Sequence, residues 1–345
     1  MPNPSASAVL VAALLAACGS PAATPDAAMT PPADAAPDTA IPPDAAYGSR
    51  VIAVEGDVTQ VHDPAIAASE TRYYVYSTGQ GLPIRESTDL VQWRITGAVF
   101  AAVPSWITTT NPGDPNQLWA PDISQFGGQY HVYYAASSFG SQDSCIGHAT
   151  SPTLDAPVWT DSGGPVICSS SSDDWNAIDP AAFVDADGNA WLALGSFWSG
   201  LKLIALDPTT GERQGTAFYA LATRPNTADE AAFLVHRGDY YYLFESVDFC
   251  CRGSASSYKI MVGRSSSITG PYTDRGGAPL LSGGGTLVVE GDTRWRGPGH
   301  NAILHTAAGD YNVYHSYDSQ AGGTPTLRIA ELAWSGDGWP VSAGP

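Results

Sequence analysis

The chain has 345 residues, 43% hydrophobic and 14% charged, with 34 acidic against 15 basic residues. That length allows one large domain or two small ones, and the formal charge of −19 argues against nucleic acid or an anionic membrane surface as a partner, since both would repel it. The 10 Trp and 16 Tyr fit a β-rich protein, as core or as surfaces on which sugars stack.

Residues 8–17, A-V-L-V-A-A-L-L-A-A, form an apolar run of ten. This is too short to span a bilayer and suits the hydrophobic region of a signal peptide. The run ends at Leu15-Ala-Ala-Cys18, which resembles a bacterial lipobox, in which the Cys becomes the lipidated N-terminus. Residues 1–18 are therefore read as a lipoprotein-type signal peptide, with plain secretion as the alternative. Residues 19–46 hold ten Ala, seven Pro and four Asp. That composition builds no core, and Pro blocks both helix and ladder. It reads as a disordered tether holding the following domain away from a membrane.

From residue 47 to 345 the chain repeats. The stretch W-N-A-I-D-P-A-A-F, 175–183, centres on Asp179, and related stretches surround Asp63, Asp122, Glu230 and His300, at spacings of 59, 57, 51 and 70 residues. Each is followed by an aromatic or apolar run: 73–78, 130–135, 190–195, 240–245 and 311–316. Turn residues precede that run, as in Asp185-Ala-Asp-Gly188. A third run follows at 84–93, 146–150, 201–206, 260–265 and 327–334, and a fourth short strand fits after each. No long segment keeps a 3.6-residue period, so little helix is expected. Four short antiparallel strands per unit, five times over, predict an all-β, five-bladed β-propeller.

In a propeller the first strand of each blade lines the axis. Asp63, Asp122, Asp179, Glu230 and His300 are therefore expected to converge. Like charges in a confined site repel and drive pKa values apart, an arrangement usually tied to chemistry. Apart from Cys18 the cysteines are Cys145, Cys168, Cys250 and Cys251. Export permits disulfides. Cys145 and Cys168 flank a hairpin of the second unit, which points to a bridge between them. Cys250 and Cys251 are either a vicinal disulfide or two thiols, and no second pair has zinc spacing.

Nine stretches carry a family resemblance: V-H-D-P (61–64), L-W-A-P-D (118–122), S-S-F-G-S (137–141), N-A-I-D-P (176–180), G-S-F-W-S-G (195–200), F-C-C-R-G (249–253), Y-K-I-M-V-G-R-S (258–265), I-T-G-P-Y (268–272) and G-P-G-H-N (297–301). In this order, across the whole domain, they resemble glycoside hydrolase family 43, and within it the endo-α-1,5-L-arabinanases. The resemblance implies single-displacement, inverting hydrolysis by a trio of carboxylates. Such chemistry needs a protonated acid for the leaving oxygen and a carboxylate base for water, roughly 6.5–9.5 Å apart.

On this resemblance Asp63 is the general base, Glu230 the general acid, and Asp179 the group that orients the acid and raises its pKa. Asp229 is adjacent to Glu230, and the repeat phase, aligning Glu230-Ala-Ala-Phe with Asp179-Pro-Ala-Ala-Phe, selects Glu230. Ala232 stands where the family commonly has Pro. Asp122 is expected to be structural or channel-lining. His300 matches a histidine that reaches a metal, usually calcium, held mostly by water in the central channel. Phe139, Gly140, Asn176, Ile178, Ser196 and Trp198 match arabinose-binding positions. Trp119 is a further candidate platform, and His62 orients the base or is structural. The implied function is endo-hydrolysis of α-1,5-linked arabinofuranosyl chains of pectic arabinan by an exported monomer. Its membrane contact is only through Cys18. Rival readings are an exo-arabinanase, α-L-arabinofuranosidase or β-xylosidase on the same fold, and a non-catalytic arabinan-binding propeller.

Overall fold

Short aromatic and β-branched runs separated by Gly- and Asp-containing turns pair locally as antiparallel hairpins. The computed structural model describes residues 50–110, 116–225 and 227–345, all within one compact unit. The expected signal peptide, tether and Cys18 lie outside the described residues. The hairpins assemble into five sheets. Blade I holds Ala65–Ala68, Tyr73–Tyr76, Pro83–Ser87 and Gln92–Ala98; blade II holds Gln117–Phe126, Gln129–Ala136 and Ser144–Ser151, with Thr160–Asp161 and Ile167–Ser169 sharing its outer edge. Blade III runs Ala181–Val184, Ala190–Leu194, Leu201–Leu206 and Tyr219–Ala222; blade IV runs Asp229–Arg237, Tyr240–Val247, Lys259–Ser265 and Thr286–Glu290. Blade V holds Trp295–Thr306, Gly309–Asp318 and Thr324–Trp334. The only α-helix among the described residues is Ser105–Thr110. This is the five-bladed propeller that the repeats predict.

Local chemistry sets the hairpins. In the blade III turn, Asp185 Oδ1 accepts the amides of Asp187 and Asn189, while Oδ2 accepts Trp191 Nε1 at 2.8 Å. Gly188 there has φ +82°, a conformation costly for a residue with a Cβ. The run expected over 84–93 is in fact two strands. Asp89 Oδ1 takes the amides of Val91 and Gln92 and turns the chain between them. The Cys145–Cys168 bridge is present and ties two paired strands of blade II.

The innermost strands of successive blades pack I to II, II to III, III to IV, IV to V and V back to I. Apolar side chains fill each of the five seams. Tyr76 and Tyr134 lie between blades I and II, Leu192 and Ile146 between II and III, and Leu203 and Leu243 between III and IV. Phe244 and Tyr314 lie between IV and V, and Val75 and Val313 between V and I.

Blade V does not end with a fourth strand of its own alone. Val51–Ile52 pairs antiparallel with Thr324–Trp334, placing Val51 opposite Ala330 and Ile52 opposite Ile329, and Pro340–Ser342 completes the edge. The Leu327 amide donates to Val58 O at 2.8 Å and the Val61 amide to Pro325 O at 3.2 Å. The start of the described chain thus closes the ring onto its last blade. Ile52 is buried in that seam, so Ile52→Ala is expected to lower unfolding stability by about 2–4 kcal/mol. Chemical denaturation reads this, and a loss below about 0.5 kcal/mol, the range of a surface change, would mean that the clasp is not needed for closure.

Candidate active site

The site begins with one backbone feature repeated five times. Asp63, Ala120, Asp179, Ala231 and His300 have φ of +51°, +45°, +52°, +56° and +51°. Two residues later regular hairpin pairing starts, at Ala65, Asp122, Ala181, Phe233 and Ala302. Left-handed backbone at a non-glycine residue costs about 1–3 kcal/mol and persists only where its surroundings enforce it.

This register corrects the equivalence read from the repeats. Asp63, Asp179 and His300 share one phase, but Glu230 comes one residue before the left-handed position of its blade and Asp122 two residues after. The short sequence echoes look alike, whereas the bulge sets the true phase. Glu230 nevertheless faces the same cleft as Asp63, while Asp229 and Asp122 do not line it. Asp122 accepts Ser124 Oγ at 2.8 Å and the Ala182 amide at 2.9 Å. It lines a separate cavity of about 330 Å³ with Phe183, Phe233 and His305. Burial pushes its carboxyl up to about 6. It therefore does not join the other four.

The cleft encloses about 780 Å³ and is lined by His62, Asp63, Trp119, Phe139, Gly140, Asn176, Ile178, Asp179, Ser196, Trp198, Glu230 and His300. At its floor, Asp63 Oδ1 lies 2.8 Å from His62 Nδ1 and 3.1 Å from His300 Nδ1, and Oδ2 accepts Thr78 Oγ1 at 2.6 Å. Thr78 is in turn held by the Ala120 amide at 2.7 Å. The Asp63 amide donates to His315 Nδ1 at 3.1 Å. Glu230 Oε2 accepts Ser196 Oγ at 2.6 Å and Oε1 accepts Tyr258 OH at 2.8 Å. Asp179 Oδ2 accepts the Ala231 amide at 3.2 Å and lies 4.0 Å from His300 Nδ1. Gly299 is required here by close approach, because a Cβ on it would fall 1.9 Å from the Tyr258 ring.

The three carboxyls are all buried, yet their pKa values are driven in different directions. At Asp63 burial opposes the charge, but His62 and His300 overcome it and hold the carboxyl well below its usual range. Burial drives Asp179 well above the usual range, and the Glu230 and Asp63 charges add to this against the pull of His300. Burial also raises Glu230, offset in part by the Ser196 and Tyr258 hydroxyls. Burial disfavours the His300 cation, but the charges of Asp63, Asp179 and Glu230 lift it to about 9. One carboxyl is thus held below its usual range and two are raised above it within one cleft, the condition for paired acid and base chemistry.

Aromatic side chains rim the opening. Phe139, Trp198 and Phe197 are 83%, 47% and 40% exposed, and Arg252 stacks on Phe249. Thr78, Phe197, Tyr258, His315 and Tyr317 were not among the site residues expected from sequence, and Cys250 and Cys251, expected as a vicinal disulfide or two thiols, line the cleft as a disulfide. Period-two alternation in Tyr314-His-Ser-Tyr317 was the available signal for two of them, since it puts His315 and Tyr317 on one strand face.

A metal at His300 would have to displace the proton that the neighbouring carboxylates favour on the imidazole. Nδ1 faces Asp63, leaving Nε2 for an ion, the carboxylate–histidine arrangement typical of ligating imidazoles. Calcium prefers oxygen, so most of its shell would be water.

The His300 pKa makes folding stability pH-dependent. A raised pKa contributes stability that is complete below the ordinary value of 6.5 and is lost as pH rises through about 9. Urea unfolding free energy should therefore fall across that interval, and His300→Gln should flatten the fall. An unchanged slope in the variant would contradict the ion pair.

Residues 58–340 match the family described as Glycosyl hydrolases family 43. The chain is 44% identical over 286 residues to the extracellular endo-α-(1→5)-L-arabinanase 1 of Bacillus subtilis (strain 168), covering 81% of this chain and 87% of the relative. It is 38% identical over 296 residues to the extracellular exo-α-(1→5)-L-arabinofuranosidase ArbA of Cellvibrio japonicus (strain Ueda107), covering 81% and 85%. Among solved structures, a GH43 endo-arabinanase from Bacillus licheniformis superposes with a TM-score of 0.80 at 43% identity, covering 84% of this chain and 99% of that one. A propeller whose axial cleft sets a carboxyl held below its usual range beside one raised above it, matched over residues 58–340, belongs to glycosyl hydrolases family 43.

Proposed function

We propose that the protein is an exported, inverting endo-hydrolase of α-1,5-linked L-arabinofuranosyl chains. The observation that carries this reading is that Asp63, held below the usual carboxylate range by two imidazoles, and Glu230, raised by burial, face one cleft. Asp63 comes from blade I and Glu230 from blade IV, blades that are not neighbours in the ring. Such groups approach a substrate from two sides. Asp63 takes a proton from water as its oxygen attacks the anomeric carbon. Glu230 gives its proton to the leaving glycosidic oxygen, and the carbon inverts. Afterwards Asp63 releases a proton and Glu230 regains one. Asp179 acts through the Ala231 amide, which fixes the strand bearing Glu230, while the Asp63 charge adds to burial in raising the Glu230 carboxyl.

The arabinan substrate and the endo mode are supported by the 44% identical relative, which is named for both. The 38% identical relative named as an exo enzyme favours the second reading, release from a chain end. Exposed Phe139 and Trp198 supply apolar faces for sugar rings, while Asn176 and Ser196 supply polar atoms beside them. Calcium held by His300 and water would add positive charge to the cleft that His300 shares with Asp63. Export is supported by the relatives' description as extracellular.

The test uses linear α-1,5-arabinan with the wild type, Glu230→Ala and Asp63→Asn. Early short oligomers of inverted anomeric configuration by NMR are expected, with kcat lost by about 10²-fold or more in each variant. Arabinose or arabinobiose alone from the first minute would move the reading to the exo mode, and retained configuration would exclude single displacement. Calcium added back to chelator-treated protein should raise Tm in the wild type but not in His300→Gln; equal shifts would remove the metal from His300. Lipidation at Cys18 is expected to add acyl mass to the exported chain, lost in Cys18→Ala. An unmodified mature N-terminus would leave plain secretion.

A further inference from the structure

The loop between strands Tyr240–Val247 and Lys259–Ser265 carries Phe249, Cys250, Cys251 and Arg252, all lining the cleft. Cys250 and Cys251 are joined to each other by a disulfide. Cys251 sits at φ +65°, a left-handed conformation that a free cysteine would tend to leave. The loop is tied further by the Ser257 amide to Phe249 O at 2.9 Å and the Arg252 amide to Ser256 Oγ at 3.0 Å.

In this conformation the Cys251 amide donates to the Tyr317 phenol oxygen at 2.8 Å. The phenol lies 2.6 Å from His62 Nε2, and His62 Nδ1 lies 2.8 Å from Asp63 Oδ1. The chain amide, phenol, imidazole, carboxylate crosses blades IV, V and I. Its polarity follows from what each group can do. An ionised carboxylate only accepts, so Nδ1 carries the hydrogen between His62 and Asp63, and an Nε2 without a hydrogen accepts from the phenol. The Cys251 N–H donates to the phenol oxygen, which Ser256 also contacts, and at 2.6 Å the phenol O–H is within reach of Nε2. His62 also stacks on His315 with ring centroids 4.0 Å apart, so it is held in plane as well as in tautomer.

We propose that the Cys250–Cys251 disulfide and Tyr317 are positioning elements for the base: the ring holds the Cys251 amide on the phenol, and the phenol holds His62 in the tautomer that donates to Asp63. The proposal rests on the assignment of Asp63 as base. Opening the ring lets Cys251 relax toward negative φ. The amide then leaves Tyr317, and His62 can take the opposite tautomer, turning a lone pair toward the Asp63 carboxylate. The ordered water acceptor is lost while the sugar-binding rim stays.

The experiment measures kcat and KM on linear α-1,5-arabinan for the wild type, Cys250→Ser/Cys251→Ser, Tyr317→Phe and the triple variant. The double variant and Tyr317→Phe should each lose about tenfold in kcat, with KM within about twofold, as expected of misplacement by an ångström or less. The triple variant should be no worse than Tyr317→Phe alone, because both changes cut one chain. Unchanged kcat in the double variant, a change confined to KM, or losses that multiply in the triple variant would overturn the proposal.

Wild type treated with a dithiol, which opens the ring to two thiols as the reagent is oxidised to its own disulfide, should show the same kcat loss, and Tyr317→Phe should not. A dithiol effect persisting in the double variant would belong to Cys145–Cys168 and count against the proposal. Asp63→Asn is run beside these. If it keeps wild-type kcat, the base assignment has failed; if it is inactive while the double variant is unimpaired, only the positioning proposal has failed.

Discussion

The site depends on closure of the ring between its last blade and its first. Val51–Ile52 is added to the outer edge of blade V, and Val58 and Val61 tie the entry of blade I to Leu327 and Pro325. Asp63 and His62 enter from blade I, whereas His300, His315 and Tyr317 come from blade V. Every imidazole other than His62 that faces Asp63 therefore reaches it across this seam. An open ring would leave the carboxylate with His62 and Thr78 alone, without the blade V imidazole of His300 that shares in holding its pKa down, even with every other blade folded.

Charge placement then follows from burial. Asp63, Asp179 and Glu230 are each withdrawn from water, which alone would push all three toward the neutral acid. Two imidazoles reverse that for Asp63. Hydroxyl donors at Glu230 moderate it without reversing it. The difference between the proposed base and the proposed acid is thus written in partners rather than in residue type. The left-handed entry residues are part of this arrangement. Asp63, Asp179 and His300 occupy it directly, and the Ala231 amide at the same position in blade IV is the group that Asp179 holds.

The resemblance of repeats was a better guide to architecture than to phase. Stretches around Asp63, Asp179 and Glu230 look interchangeable because each couples an acidic residue to small and apolar neighbours. The backbone distinguishes them, since the bulge at the start of strand Asp229–Arg237 advances Glu230 by one position. Glu230 still reaches the cleft because the innermost strand of each blade passes the axis there. The same reasoning placed Asp122 with the others, and two residues of phase are enough to turn it into a different cavity.

What the sequence by itself determined was periodic: five units, alternating strands, Gly- and Asp-marked turns, and the positions bearing carboxylates and aromatic side chains. Those features are local, set by strand alternation and turn chemistry within about ten residues, so they are legible without a fold. What the tertiary structure alone decided was partnership. Thr78 under Asp63, Tyr258 on Glu230, and Tyr317 between Cys251 and His62 are contacts between strands or blades distant in the chain. So are the ring closure by Val51–Ile52 and the choice of which carboxyl stays charged. Each depends on the distance between groups brought together by closure and on the water excluded around them, neither of which a linear pattern carries.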